Sequence, residues 1–226
     1  MEHTLKAVDA ELAGLGHDLA AMGDLAVAQV RSAIDVFVSH DRSNAQKVIR
    51  GDDALDLQDA EIERRAVKFI ALRQPFADDL RRAVAAMKIA MQLERCGDLG
   101  KNIAKRVGQM DAGAPADQAE LIGGLGRMAA ARLAAVVDAY RRDDAQGAYT
   151  VWASDTEIDE RHEAVLRDII SRMTATSEAV ADGAHLLFIA KNLERIGDHA
   201  TNIAELVHYE ITGEEMISGA RPKTDA

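Results

Sequence analysis

The chain has 226 residues, 48% of them hydrophobic and 4% aromatic, with a net charge of −11. Its dominant Ala, Leu, Ile, Arg, Asp and Glu favour helices over strands. An acidic chain with a pI of about 5.1 and no basic cluster argues against a nucleic-acid reader and fits cation binding or basic protein partners.

From the start of the chain, MEHTLKAVDAELAGLG has early acids and no apolar stretch of the signal-peptide kind. No run of about 18 apolar residues follows, so any membrane link is expected to go through a partner. Cys96 is the only cysteine, so no intrachain disulfide can form and a reducing, cytoplasmic compartment is the simplest expectation. Its apolar seam position marks it as core rather than ligand. Helical periodicity predicts six helices, over 3–38, 43–72, 77–109, 117–142, 145–173 and 178–212. Pro75, in LRQPFADD, falls between the second and third. Pro115, in MDAGAPADQ, marks the best linker. Pro222 lies in a polar tail, 214–226, expected to be disordered.

The chain also repeats. Residues 89–107, IAMQLERCGDLGKNIAKRV, match residues 189–207, IAKNLERIGDHATNIAELV, at 11 of 19 positions. Upstream, GDDALD at 51–56 parallels SDTEID at 154–159. The expected fold is all-α, two tandem pseudo-symmetric three-helix bundles over 1–112 and 113–213.

Each half carries two acid pairs at i,i+4, which lie on one helix face: Asp52 with Asp56 and Glu94 with Asp98, then Asp155 with Asp159 and Glu194 with Asp198. In an antiparallel hairpin, residues at one level have a constant index sum. Asp56 and Glu94, and likewise Asp52 and Asp98, centre on residue 75, the proline. Asp159 and Glu194, and Asp155 and Asp198, centre near Thr176–Ser177. Each half is thus expected to gather four carboxylates, with its own site. A plain solvated acidic face needs basic residues at i±3 or i±4. Glu94 and Asp56 have none there, and Asp198 has only Arg195. Crowded acids raise one another's pKa, and a cation relieves the repulsion. Asn102 and Asn202, one turn beyond each Asp, add amide oxygens. Hard oxygen ligands suit magnesium, manganese, calcium or ferric iron; His162 and His199 near the second set admit zinc or iron, although either fits a plain surface histidine. Gly97 and Gly197 leave two readings open, room for the ion or tight helix packing.

The stretches LRQPFADDLRR at 72–82, LERCGDLGKNIA at 93–104 and LLFIAKNLERIGDHATNIAELVHY at 186–209 resemble the PhoU family over nearly the whole chain, to about residue 213. The resemblance implies two three-helix bundles whose E(D)XXXD motifs bind multinuclear clusters of iron or zinc. It places those motifs at Glu94/Asp98 and Glu194/Asp198, with Asp52/Asp56 and Asp155/Asp159 facing them. It implies no enzymatic activity. It implies negative regulation of the phosphate-starvation (Pho regulon) response, linking the ATPase subunit of the phosphate ABC transporter (Pst) to a sensor histidine kinase. One departure is that the second half reads TSEAVADGAHLLF where the first has its RQPFADDLR run; only the first half offers that surface, including Arg73, Asp78, Asp79 and Arg81, to a partner. Small residues on long helices allow a homodimer.

Two alternatives remain. A structural adaptor would carry the acids as a solvated face without metal. A di-metal carboxylate enzyme uses Glu-x-x-His patterns; the nearest candidates, Asp159…His162 and Glu205…His208, lie about 16 Å apart along the bundle at about 1.5 Å per residue.

Overall fold

The computed structural model describes residues 2–111, 113–154 and 156–216, with side chains from residue 7 onward. Among the described residues the chain forms eight helices and no strand: α1 (Glu2–Ser39), α2 (Arg42–Gly51), α3 (Asp53–Arg73), α4 (Ala77–Gln109), α5 (Ala116–Arg141), α6 (Ala145–Ala153), α7 (Thr156–Ala175) and α8 (Ala179–Thr212). The fold is therefore all-α, as expected.

Two of the six predicted helices are broken. The segment 43–72 divides at Asp52, where an i+3 bond from Leu55 N to Asp52 O (2.8 Å) tightens the turn. The segment 145–173 divides after Ala153, with Ser154 near φ −91°, ψ 15°. Each break lets a short and a long helix lean on the same partner: α2 and α3 both pack on α4, and α6 and α7 both pack on α8. The short helices start from aspartate caps. Asp41 accepts from Ser43 N and Asn44 N, each at 3.0 Å, and Asp144 accepts from Gly147 N at 2.8 Å. Each satisfies donors that a helix start leaves unpaired.

The turn centred on Pro75 uses Gln74 in the left-handed region (φ 48°) to end α3. Asp78 and Asp79 open α4, where acids favour the helix dipole. The second turn lies between Ala175 and Ala179. α8 ends at Gly213 (φ 75°), whose N–H bonds Tyr209 O at 2.8 Å.

Along α4 the buried face is Ala83, Ala86, Ile89, Leu93, Cys96, Gly100, Ile103 and Val107; along α8 it is Leu186, Ile189, Leu193, Ile196, Ala200, Ile203 and Val207. This 3–4 spacing is the helical stripe of the repeat. α1, α3 and α4 pack together with α2, and α5, α7 and α8 with α6; α1 lies against α5 and α4 against α8, so one core is shared by both halves. The largest buried side chains include Trp152, Leu19, Met22 and Met110, each contributing roughly 1.5–3 kcal/mol by leaving water. α4 and α8 run antiparallel, tied by Arg81 to Glu210 O (3.0 Å) at one end, Gln92 to His199 (2.7 Å) at mid-length and Asp111 N to Asp182 (3.2 Å) at the other. The expected linker is thus packed: Met110 is fully buried. Residues 214–216 fold back, Glu214 O meeting His208 Nδ1 at 3.2 Å and Met216 resting on the core. The remaining tail residues, 217–226, lie outside the described residues, and so does Ala112.

Candidate metal centres

In the first half the helix break at Asp52 turns that residue inward, and it is fully buried. Lys101, on α4 one turn beyond Asp98, places Nζ 2.5 Å from Asp52 Oδ2 and 3.2 Å from Asp98 Oδ1. Asp52 Oδ1 has no hydrogen-bond partner among the described residues. Burial pushes the Asp52 carboxyl up, and Lys101 offsets part of that. The bond to Asp52 lifts the Lys101 ammonium well above the ordinary lysine range. Glu94 is also raised, by burial first, with Arg95 opposing and Asp98, Asp56 and Asp59 adding repulsion. Arg95 Nε lies 3.5 Å from Glu94 Oε2, and Arg95 Nη1 lies 3.6 Å from Asp98 Oδ2. Asp56 and Asn102 are exposed.

In the second half, Asp159 of α7 and Glu194 and Asp198 of α8 bring one carboxylate oxygen each to within 4.8 Å of one another. Lys191, one turn before Glu194, reaches it from the rim: Nζ is 2.7 Å from Oε1 and 2.6 Å from Oε2. That lysine side chain is 54% exposed and the glutamate 13%. His162, one turn after Asp159, is only 9% exposed, and its Nε2 has no hydrogen-bond partner among the described residues. Burial holds the imidazole below the usual histidine value, while Glu194 and Asp159 pull the other way. His199 points elsewhere, meeting Gln92 of α4 at 2.7 Å; Asn202 is exposed and its amide reaches the same Gln92 oxygen at 3.4 Å. Asp155 lies outside the described residues.

The two halves fit a metal differently. Three carboxylates from two helices form a donor set that suits a divalent or ferric ion; the buried His162 stands one turn along α7 from Asp159 and is not among the gathered oxygens. The first half offers no such triplet among the described residues, and an ammonium sits between Asp52 and Asp98. The expectation of uncompensated acids therefore fails there. Lys101 stands three residues after Asp98 and Arg95 three before it, so both pairings are legible in the sequence. Lys191, at i−3 of Glu194, was visible in the same way. The burial of His162 was not, since it depends on how α7 meets α8.

The glycines settle between helices. A Cβ on Gly97 would overlap Leu55 Cδ1 and sit 2.9 Å from Asp52 Oδ1; one on Gly197 would sit 2.7 Å from Ile158 Cδ1. Tight packing accounts for both, and the buried carboxylate adds to it at Gly97. Of the rival enzyme pattern, Glu205 is engaged elsewhere: it accepts the Trp152 indole N–H at 2.9 Å, on the side of α8 facing α6.

The model of the PhoU domain matches residues 19–107 and again 122–207. A protein of Caulobacter vibrioides named phosphate-specific transport system accessory protein PhoU homolog is 48% identical over 225 residues, covering 99% of this chain and 97% of the relative. A Rhizobium meliloti protein of the same name is 40% identical over 224 residues, covering 99% and 94%. Among solved structures, PhoU from Pseudomonas aeruginosa superposes with a TM-score of 0.84 at 32% identity, covering 91% of this chain and 99% of that one. The phosphate transport system regulatory protein PhoU from Streptococcus pneumoniae gives 0.86 at 30% identity, covering 93% and 99%.

Proposed function

The chain belongs to the PhoU family, and from that premise we propose that it is a metal-binding accessory regulator of phosphate uptake. It represses the phosphate-starvation response by linking the ATPase subunit of the phosphate ABC transporter to a sensor histidine kinase. It works in the cytoplasm, by contact rather than catalysis, and as a homodimer. The relatives are named as accessory or regulatory proteins. None of the described helices is long and apolar enough to cross a membrane, which suits a protein that reaches the membrane through its partners.

The observation that carries the metal part is the convergence of Asp159, Glu194 and Asp198. The bound ion is iron, zinc, manganese or magnesium, and its role is to hold α7 against α8 by relieving carboxylate repulsion. Metal-free protein is expected to melt at a lower temperature, and re-added metal to restore it by mass action. In cells, deletion is expected to leave phosphate-starvation genes on in phosphate-rich medium, and chelation to weaken capture of transporter and kinase from phosphate-replete extracts. A melting temperature indifferent to confirmed metal loss would remove metal from the proposal. Normal repression in the deletion strain would remove the regulatory role.

A further inference from the structure

The two acid motifs read alike in sequence, yet one is closed by the chain's own cation. The Lys101 ammonium bonds Asp52 and Asp98 at 2.5 and 3.2 Å, with the Asp52 side chain 1% and the lysine side chain 22% exposed. A divalent ion there would have to eject a partly buried ammonium and leave it without a partner, which costs more than displacing a solvated side chain. At the equivalent point the second half has Thr201, whose hydroxyl donates to Gly197 O at 3.2 Å. The lysine of the second half is Lys191, half out in solvent on the Glu194 rim, where it can swing aside at little cost.

We infer that Lys101 is a built-in counterion that closes the first carboxylate set to metal, so that the chain holds one metal centre, in its second half, rather than one in each. This rests on the metal-binding reading proposed above. It departs from the symmetry of the repeat, which expects Asp98 and Asp198 to matter equally.

The test is metal analysis of the full chain after equilibrium dialysis against iron(II), zinc(II), manganese(II) or magnesium(II), each alone. Asparagine is used at both aspartates because it keeps their shape. Asp198→Asn is expected to lose nearly all bound metal, and Asp98→Asn none. Lys101→Thr, which copies the second half, is expected to raise bound metal about twofold by opening the first set. Loss of about half the metal in Asp98→Asn would show both sets loaded and overturn the inference while sparing metal binding. No metal in the wild type with any of the four ions overturns both. An unchanged metal content in Lys101→Thr, with its helical circular dichroism intact, overturns the lysine's part. The two asparagine variants decide between one centre and two even where Lys101→Thr fails to fold.

Discussion

At position 101 the first half carries lysine and at 201 the second carries threonine; at 91 the first carries methionine and at 191 the second carries lysine. Each half thus has one lysine beside its acids, but at opposite ends of the motif. The first reaches inward to a buried aspartate, and the second pairs with a glutamate from the solvent side. A duplicated pattern of acids therefore does not fix what the acids do. The position of one cation, a single helical turn before or after the pair, decides whether the set is neutralised internally or left for an ion.

Breaking that difference should have unequal costs. Lys101→Met leaves Asp52 charged, buried and without its ammonium, and is expected to destabilise by about 3–5 kcal/mol. Lys191→Met removes a pair whose ammonium end stands half in solvent and should cost less, about 1 kcal/mol. The pH dependence follows from Asp52, whose carboxyl is already raised by burial and rises further without Lys101. A raised carboxyl penalises the charged form in the fold, so its stability is full below the unfolded value and falls as pH rises through the folded one. The Lys101→Met deficit should then be largest near neutrality and shrink in acid. Urea melts near neutrality and in acid check this; equal, pH-independent losses in the two variants would erase the distinction between the halves.

Much of this was legible in the sequence. The 100-residue repeat gave the helical stripes of α4 and α8, and the index levels put the turn at Pro75 and brought Asp159 to Glu194. The breaks at Asp52 and Ser154 were not seen, because apolar periodicity continues across them while the backbone tightens by a single i+3 bond. Four carboxylates at one level also said nothing of which oxygens meet. That depends on side-chain direction, and Lys101 bonds two of them. The contact of α4 with α8, which draws Asn202 and His199 toward Gln92, joins residues more than 100 positions apart and has no local signal.

The glycines sharpen the comparison at smaller scale. Alanine favours a helix interior over glycine by about 1 kcal/mol, so replacement would stabilise both sites if packing allowed. At Gly97 the new methyl meets Leu55 and the buried Asp52 carboxylate; overpacking of about 1–3 kcal/mol should prevail. At Gly197 it meets Ile158, the Cδ1 tip at 2.7 Å and the stiffer Cγ2 at 3.2 Å, with no carboxylate in the way, so Gly197→Ala should cost less than Gly97→Ala, about 1 kcal/mol. Thermal melts of the two variants, without added metal, measure this. A Gly97→Ala variant as stable as Gly197→Ala would mean that Asp52 is not held against α4.

The hairpin turns extend the contrast to the surface. Beside the first, Phe76 is 84% and Leu72 67% exposed; Ser177 occupies the second. The charged residues of the first turn, expected as a partner surface, also hold the fold together. Arg73 binds Glu11 of α1 at 3.1 and 2.6 Å, and Arg81 donates to Glu210 O while standing 5.9 Å from the Tyr209 ring. Charge reversal there would loosen α1 and the α4–α8 contact, and so confuse partner loss with stability loss. Phe76 is the cleaner probe, because an exposed ring adds little to the fold. Phe76→Ala is expected to change stability by no more than about 0.5 kcal/mol. It should nevertheless leave phosphate-starvation genes partly on in phosphate-rich medium, since exposed aromatics are favoured anchors for partners. Ser177→Ala should change neither. Reporter assays beside urea melts of the same variants separate the outcomes: full repression by a stable Phe76→Ala protein would show that the first turn is not where the partner docks.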